Sequence, residues 1–316
     1  MELSKPIFYL GALTAAKYLS KLLGLIYLFT RTSSLPRYLH STPSWALITG
    51  SSDGIGRGFA EELCFQGFNV VLHGRNPAKL ERLKADLNRE FPRRSIRVAV
   101  ADSLQSDRLN CIQSIVDVVQ DLNLTVLINN IGGVAGGIVT PKFKTFEGNT
   151  RQEIEDTTQL NLGFATQLTH ALLPILQRTQ PSLIINISSL AAVISFPYLT
   201  IYCASKAYNL AFSSSLSAEL KAEGKDIEVL GVLVGDTVTP GGRAGLTVSI
   251  TYPSPRTLAK ATLQKVGCGR EIVWGYLVHA LRLYGLNCLP AWLYESLLTK
   301  KMREVKEIEE AYTKKA

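Results

Sequence analysis

Apolar and polar positions along the chain fall into three regimes. Residues 7–30 are largely apolar, with charge only at Lys17 and Lys21. At 24 residues the run is long enough to cross a bilayer. The two lysines lie four apart on one face with Thr14, so a helix lying in the interface competes with a spanning one. Residues 31–44, with Ser, Thr and two prolines, read as a linker. From Trp45 the pattern changes. Short apolar runs at 45–49, 69–75, 95–100, 124–128, 182–187 and 227–234 read as buried strands. Segments 59–64, 77–90, 104–120, 152–178, 202–223 and 257–266 read as helices between and after them. Strict alternation of this kind predicts an α/β fold with a doubly wound parallel sheet. The third regime, 271–298, is apolar and aromatic and is broken by Gly285 and Pro290. It fits a hydrophobic cap, a membrane-facing surface or core packing. The expected organisation is an anchor and linker at 1–44, a Rossmann-type domain at 45–270 and an extension at 271–316. No internal repeat or low-complexity tract appears.

Charge and composition sharpen this picture only in places. The net charge is +8, and residues 1–40 carry +4 of it, beside the apolar run. The tail 300–316 carries a further +2. No basic stripe interleaved with aromatics is present, so nucleic acid is not an expected partner. Basic charge at an apolar terminus fits an anionic membrane surface. A cleaved secretory signal is not expected, because residues 22–29 are followed by Thr-Arg-Thr-Ser-Ser-Leu-Pro without a small-x-small site. The five cysteines show no paired or metal-type spacing and read as free thiols in a reducing compartment. The four histidines are scattered, so no metal site is expected.

Three stretches carry chemistry. The first strand runs into Thr49-Gly50-Ser51-Ser52-Asp53-Gly54-Ile55-Gly56 and then a helix. Strand, glycine turn and helix N-terminus together make a phosphate cradle of free N–H groups. The second strand ends in His73-Gly74-Arg75, where an NAD site would carry an acid for the ribose 2′-hydroxyl. Arg75 suits a 2′-phosphate instead. The third is Tyr202-Cys-Ala-Ser-Lys206, which sets a phenol and an ammonium one helical turn apart. A cation there is expected to draw the phenol's pKa down and make it a usable acid. Ser189 follows the fifth apolar run, at the strand edge where ligands bind in open α/β sheets.

In this order and spacing, these motifs with Asn129-Asn-Ile-Gly132 and Asn161 resemble the short-chain dehydrogenases/reductases over residues 45–240 or so. Arg75-Asn-Pro-Ala-Lys-Leu, Leu199-Thr-Ile-Tyr-Cys-Ala-Ser-Lys206, Pro253-Ser-Pro255 and Gly275-Tyr-Leu-Val-His-Ala280 are similar to the branch of very-long-chain 3-oxoacyl-CoA reductases and 17β-hydroxysteroid dehydrogenases. The resemblance implies Tyr202 as acid/base and Lys206 as its pKa-lowering partner and holder of the nicotinamide ribose. It implies Ser189 on the substrate carbonyl and Asn161 in a proton relay. NADP is the implied cofactor. Gly50, Ser51, Ser52, Asp53, Gly54, Ile55 and Gly56 would take the phosphates, and Asp102 the adenine. Asn129 would take the adenine ribose, and Val238 would lie by the nicotinamide. The implied reaction is hydride transfer to a carbonyl carbon with proton delivery from Tyr202. The branch also implies an endoplasmic reticulum membrane enzyme facing the cytosol, with a lipophilic substrate such as an acyl-CoA, and leaves homo-oligomerisation open.

One departure stands out. Related chains usually show Pro-Gly-x-Val-x-Thr after the last strand, where this one has Gly235-Asp-Thr-Val-Thr-Pro240. The terminal Lys314-Lys315-Ala316 also misses a dilysine retrieval spacing by one position. Three functions are therefore carried forward. They are a long-chain 3-oxoacyl-CoA ketoreductase, an oxidoreductase for steroids or other lipophilic ketones and alcohols, and a catalytically weak cofactor-binding scaffold.

Overall fold

The computed structural model describes residues 4–134, 143–240, 242, 245–286 and 288–313. Lys314-Lys315-Ala316 lies outside them, as do 241, 243 and 244 in the loop after the sixth strand. Seven strands form one parallel sheet: β1 Trp45–Ile48, β2 Asn69–Gly74, β3 Ile96–Val100, β4 Leu124–Asn129, β5 Ser182–Ile187, β6 Ile227–Leu233 and β7 Ile272–Trp274. Their order is β3-β2-β1-β4-β5-β6-β7. The chain reverses direction of winding between β1 and β4, which opens a crevice at their C-terminal ends. All residues of β1, β2, β4 and β5 are buried, as both faces of a parallel sheet require.

Alternation along each strand divides the core in two. Ala46, Ile48, Val70 and Leu72 face one layer, with Phe59 and Leu63 of α2 (Gly54–Gln66), Leu80 and Leu83 of α3 (Pro77–Glu90) and Leu258 of α8 (Pro255–Leu263). Leu47, Val71, Leu127 and Ile184 face the other, with Ile115 of α4 (Arg108–Val119), Phe164, Leu168 and Leu172 of α6 (Phe164–Arg178) and Leu220 of α7 (Thr200–Ala222). The helix starts follow capping chemistry. Asn76 accepts from Lys79 N ahead of Pro77, and Thr150 with Glu153 forms a reciprocal box before α5 (Arg151–Thr158). α4 begins four residues later than its pattern predicts. Asp102 accepts from Leu104 N and holds a turn there, and Asp107 supplies the cap. The expected helix over 152–178 is continuous in course but passes through a π-helical turn at Gln159–Gly163, between α5 and α6.

Two segments depart from the sequence reading. Residues 31–44 are packed rather than strung between units. Leu35–Tyr38 is a 3₁₀ turn with Leu35 and Tyr38 buried in the first core layer. The Tyr38 hydroxyl donates to Glu228 at 2.6 Å, and Arg31 and Ser33 donate to the carbonyls of Val266, Gly267 and Leu263. The sheet also does not stop at residue 270, because β7 pairs with β6 beyond it. Three residues are too short to show as a strand within an aromatic stretch. α9 (Leu277–Leu286) and α10 (Ala291–Thr313) follow.

The N-terminal helix α1, Ser4–Thr30, is long and apolar enough to cross a membrane by length and composition. Ile7, Phe8, Leu10, Leu13, Leu19 and Leu22 are exposed on it. Only its last turns dock, through Leu25 and Leu28.

Candidate active site

The crevice at the C-terminal edge is built from the ends of β1, β2, β4, β5 and β6. At β1 the chain turns through Gly50 and Gly54, whose φ of 63° and 53° few other residues adopt. Asp53 caps α2 by accepting from Gly54 N, and it lies 3.5 Å from Lys79. Ser51 is buried, with its hydroxyl and N–H both on the His73 carbonyl. Ser52 borders Gly74, and Ile55 packs against the first core layer. Asn130, which the sequence reading gave no role, locks this turn to β4. Its amide donates to the carbonyls of Thr49 and Gly50, and the N–H groups of Asn130 and Ile131 donate to the Thr49 hydroxyl. The turn thus presents the N-terminus of α2 as a preformed, anion-accepting cradle.

Arg75 follows β2 directly, is exposed, and makes no ion pair among the described residues. His73, two residues earlier, is buried. The ring stacks on Phe164 at 5.3 Å, and burial pushes its pKa down to about 4. Asp102 lies just past β3, half-buried, with one oxygen on Leu104 N. Asn129 also has a structural part that the sequence does not reveal. Its side chain is buried and donates to Thr169 and to Asn186, which in turn donates to Ser213. That network ties β4 and β5 to α6 and α7 and uses the Asn129 amide nitrogen, while its buried side-chain oxygen has no hydrogen-bond partner among the described residues.

Beyond β5 four expected residues converge. Ser189 sits at the strand exit, its oxygen accepting from Ala191 N. α7 starts two residues before Tyr202 and carries Lys206 one turn on. Lys206 is buried and donates to the Ile187 carbonyl at 3.1 Å. Asn161 is buried in the π turn, a feature that frequently marks functional sites. Its amide donates to the carbonyls of Gly133 and Thr157, and its oxygen accepts from Gly133 N. A methyl group on Gly132 would lie 2.6 Å from Lys206 Nζ and 2.7 Å from the Asn161 oxygen. The ammonium and the amide therefore close on the same point of the β4 loop.

The electrostatics differ from the sequence expectation. Burial raises the Tyr202 pKa, and the nearby Ser189 hydroxyl opposes this only in part. Lys206 Nζ stands 5.7 Å from the Tyr202 ring centre, and burial has pushed its own pKa down to about 8. The cation meant to ionise the phenol is itself held toward neutrality by the same dry surroundings. Proton donation from a neutral phenol to a carbonyl, with Ser189 beside it, is what this arrangement favours.

The crevice fits a nicotinamide dinucleotide at both ends. The glycine turn offers N–H groups to a pyrophosphate, and Lys206, with one hydrogen bond made, keeps donor capacity beside Gly132. Val238 lies in the loop after β6, with its N–H on the Pro253 carbonyl. Among the described residues no group of His, Cys, Asp or Glu is placed to hold a metal.

Comparison with known proteins agrees with this geometry. The family model described as short chain dehydrogenase matches residues 44–245. The chain is 31% identical over 269 residues to a very-long-chain 3-oxoacyl-CoA reductase of Scheffersomyces stipitis, covering 81% of this chain and 75% of that one. It is 31% identical to human 17-beta-hydroxysteroid dehydrogenase type 3, covering 83% and 81%. A solved short-chain dehydrogenase from Sphingobium yanoikuyae in complex with NADPH superposes with a TM-score of 0.63 at 30% identity, covering 78% and 92%.

Proposed function

The chain belongs to the short-chain dehydrogenase family, in the branch of very-long-chain 3-oxoacyl-CoA reductases and 17β-hydroxysteroid dehydrogenases, and on that premise we propose that it is a membrane-bound, NADPH-dependent ketoreductase for long-chain 3-oxoacyl-CoA. The observation that carries the chemistry is the cluster of Tyr202, Ser189, Lys206 and Asn161 at one end of the crevice. When bound, the cofactor supplies the hydride. The chain does the rest. Ser189 and Tyr202 orient the carbonyl oxygen, and the Tyr202 phenol delivers the proton. Lys206 restores it through the ammonium face shared with Asn161. The glycine turn from Gly50 to Gly56 and Asn129 hold the nucleotide, Asp102 meets the base, and Arg75 receives a 2′-phosphate.

Support for a lipophilic substrate comes from elsewhere in the fold. α1 carries exposed apolar side chains along its length and docks only at its end, so it reads as a membrane segment beside the catalytic domain. All five cysteines are free, consistent with a domain on the cytosolic side of the endoplasmic reticulum. Each buried methylene is worth about 0.8 kcal/mol, so acyl length has a large lever on kcat/KM. The steroid reading has its own support in the human 17-beta-hydroxysteroid dehydrogenase relative, at the same identity. The deciding experiment is NADPH consumption by the detergent-solubilised protein across 3-oxoacyl-CoA chain lengths and steroid ketones. We expect kcat/KM to climb with chain length well beyond four carbons. A flat profile beside efficient steroid reduction would transfer the assignment to the second reading.

A further inference from the structure

β6 hands the chain to a loop that crosses the crevice. Leu190 N donates to the Val234 carbonyl and ties the strand's exit to the Ser189 turn. The loop then runs toward the glycine turn, where a Cβ on Gly54 would lie 3.2 Å from the Thr239 methyl. Between these points Asp236 comes close enough to Tyr202 for its charge to act on the phenol. The stretch 235–239 therefore spans the distance from the proton donor to the phosphate cradle.

The loop is braced by one side chain from outside the strand–helix alternation, His279 of α9. Gly235 N donates to Nδ1 at 3.0 Å, so Nε2 carries the proton and donates to the Asp236 carbonyl at 3.2 Å. The ring is fully buried, and Tyr276 stands edge-on to it at 5.2 Å. The fit is close. A Cβ at Gly235 would lie 2.9 Å from two ring carbons, tighter than real contacts allow. A proline there would also remove the N–H that the imidazole accepts. Gly235 and His279 form a matched pair, which accounts for the glycine at the position where related chains usually carry proline.

We infer that His279 is a positioning residue: by gripping the main chain of Gly235 and Asp236 it sets the loop 235–239 against the nicotinamide end of the crevice. The inference rests on the dinucleotide reading given above. It assigns α9 a part in cofactor binding, carried by two hydrogen bonds rather than by packing.

The test is equilibrium NADPH titration by nucleotide fluorescence, with KM, kcat and thermal unfolding, on the full-length solubilised protein. His279→Phe keeps the ring and removes both bonds. The Kd for NADPH is expected to rise roughly tenfold, the loss that two net hydrogen bonds imply. The cofactor KM should follow it, and the ketone KM should stay within about twofold of wild type, a small effect on this scale. His279→Asn keeps an acceptor for Gly235 N and should recover part of the loss. A folded Phe variant that binds NADPH like wild type would reduce His279 to packing and overturn the inference. If the Phe variant does not fold, the cycle of Gly235→Ala, His279→Ala and their double variant decides. The alanine pushes into the ring, so removing the ring should make the double loss smaller than the sum. Additive losses overturn the pairing. A wild-type protein that binds neither NADPH nor NADH overturns the functional reading itself, and the inference with it.

Discussion

Lys206 Nζ donates to the Ile187 carbonyl at 3.1 Å, and among the described residues that is the only hydrogen bond of a buried ammonium. Such a cation is costly to fold around, since three protons and one acceptor leave most of its hydration unreplaced. Its pKa, down to about 8, reports that cost. A lysine whose folded pKa is depressed destabilises the fold while it is ionised, and the penalty disappears only above the unfolded value. Replacing it with an apolar side chain of similar length should therefore help the fold and harm the chemistry. Lys206→Met is expected to stabilise the cofactor-free protein by about 1–3 kcal/mol at neutral pH, while turnover falls by at least ~10²-fold. Thermal unfolding and NADPH consumption on the same preparation check it. A clear drop in Tm would mean that the ammonium is a structural asset.

Tyr202→Phe separates the proton from the ring. The substitution removes only the hydroxyl near Ser189 and keeps the ring, so packing on α7 should survive. Turnover is expected to fall by ~10²–10⁴-fold, with NADPH affinity close to wild type. Near-normal turnover in a folded Phe variant would remove Tyr202 from the mechanism.

Much of this site was legible in the sequence because its parts are local. A strand, a glycine turn and a cap are written in adjacent residues, and Tyr202 with Lys206 is a one-turn spacing. What escaped depends on partners distant in the chain. Tyr38 and Ser33 look like linker until Glu228 and the Leu263 carbonyl of α8 are placed beside them. The structural part of Asn129 is hidden in the same way, because its amide donates to Asn186 on the next strand. His279 lay inside a motif the sequence singled out, yet its target is more than 40 residues away at Gly235. The phenol's pKa went the other way because spacing reveals a neighbouring charge but not the desolvation that weakens it.

Acid should unfold this protein earlier than its surface charges suggest. His73 and His279 are both buried, with burial holding each near a pKa of about 4. Asp102 near the first, and Asp236 and Arg282 near the second, change this little. A histidine with a depressed folded pKa contributes stability that is full above its unfolded value of about 6.5 and is lost as pH falls toward the folded value. Each shift corresponds to on the order of 3 kcal/mol. Urea midpoints should fall steeply between about pH 6.5 and 4, and His73→Phe, which keeps the stack on Phe164, should flatten that slope. An unchanged slope would move the acid sensitivity to other groups.

Arg75 stands exposed at the end of β2 without an ion-pair partner among the described residues. If it receives a 2′-phosphate, Arg75→Asp removes an attraction and installs a repulsion, and an acid there accepts from a ribose 2′-hydroxyl. The ratio of kcat/KM for NADPH to that for NADH should invert, with a swing of about 10²-fold or more. A wild type that prefers NADH would refute the assignment before any variant is made.

The anchor and the domain are expected to separate at Leu25 rather than at Trp45. Phe8 and Leu13 are each 70% exposed, whereas Leu28 is 1%, Leu35 3% and Tyr38 1% exposed, all within the first core layer. Phe29 covers the buried ammonium of Lys265 at 3.8 Å, and Arg31 and Ser33 bond the last turn of α8 and the residues beyond it. Deleting residues 1–23 takes away most of the exposed apolar surface of α1 and leaves these contacts whole. It should release the protein from the membrane pellet with Tm within a few degrees of the full chain. Deleting residues 1–40 removes four buried side chains, each worth about 1.5–3 kcal/mol, and takes the Tyr38 hydroxyl from Glu228 and the Phe29 ring from Lys265. A loss of that size should lower Tm by on the order of 10 °C or abolish folding. Sedimentation and thermal unfolding of the two truncations distinguish the contributions. If the 1–23 deletion stays in the pellet while folded, the aromatic stretch 271–298 holds the membrane, and α1 is not the main anchor.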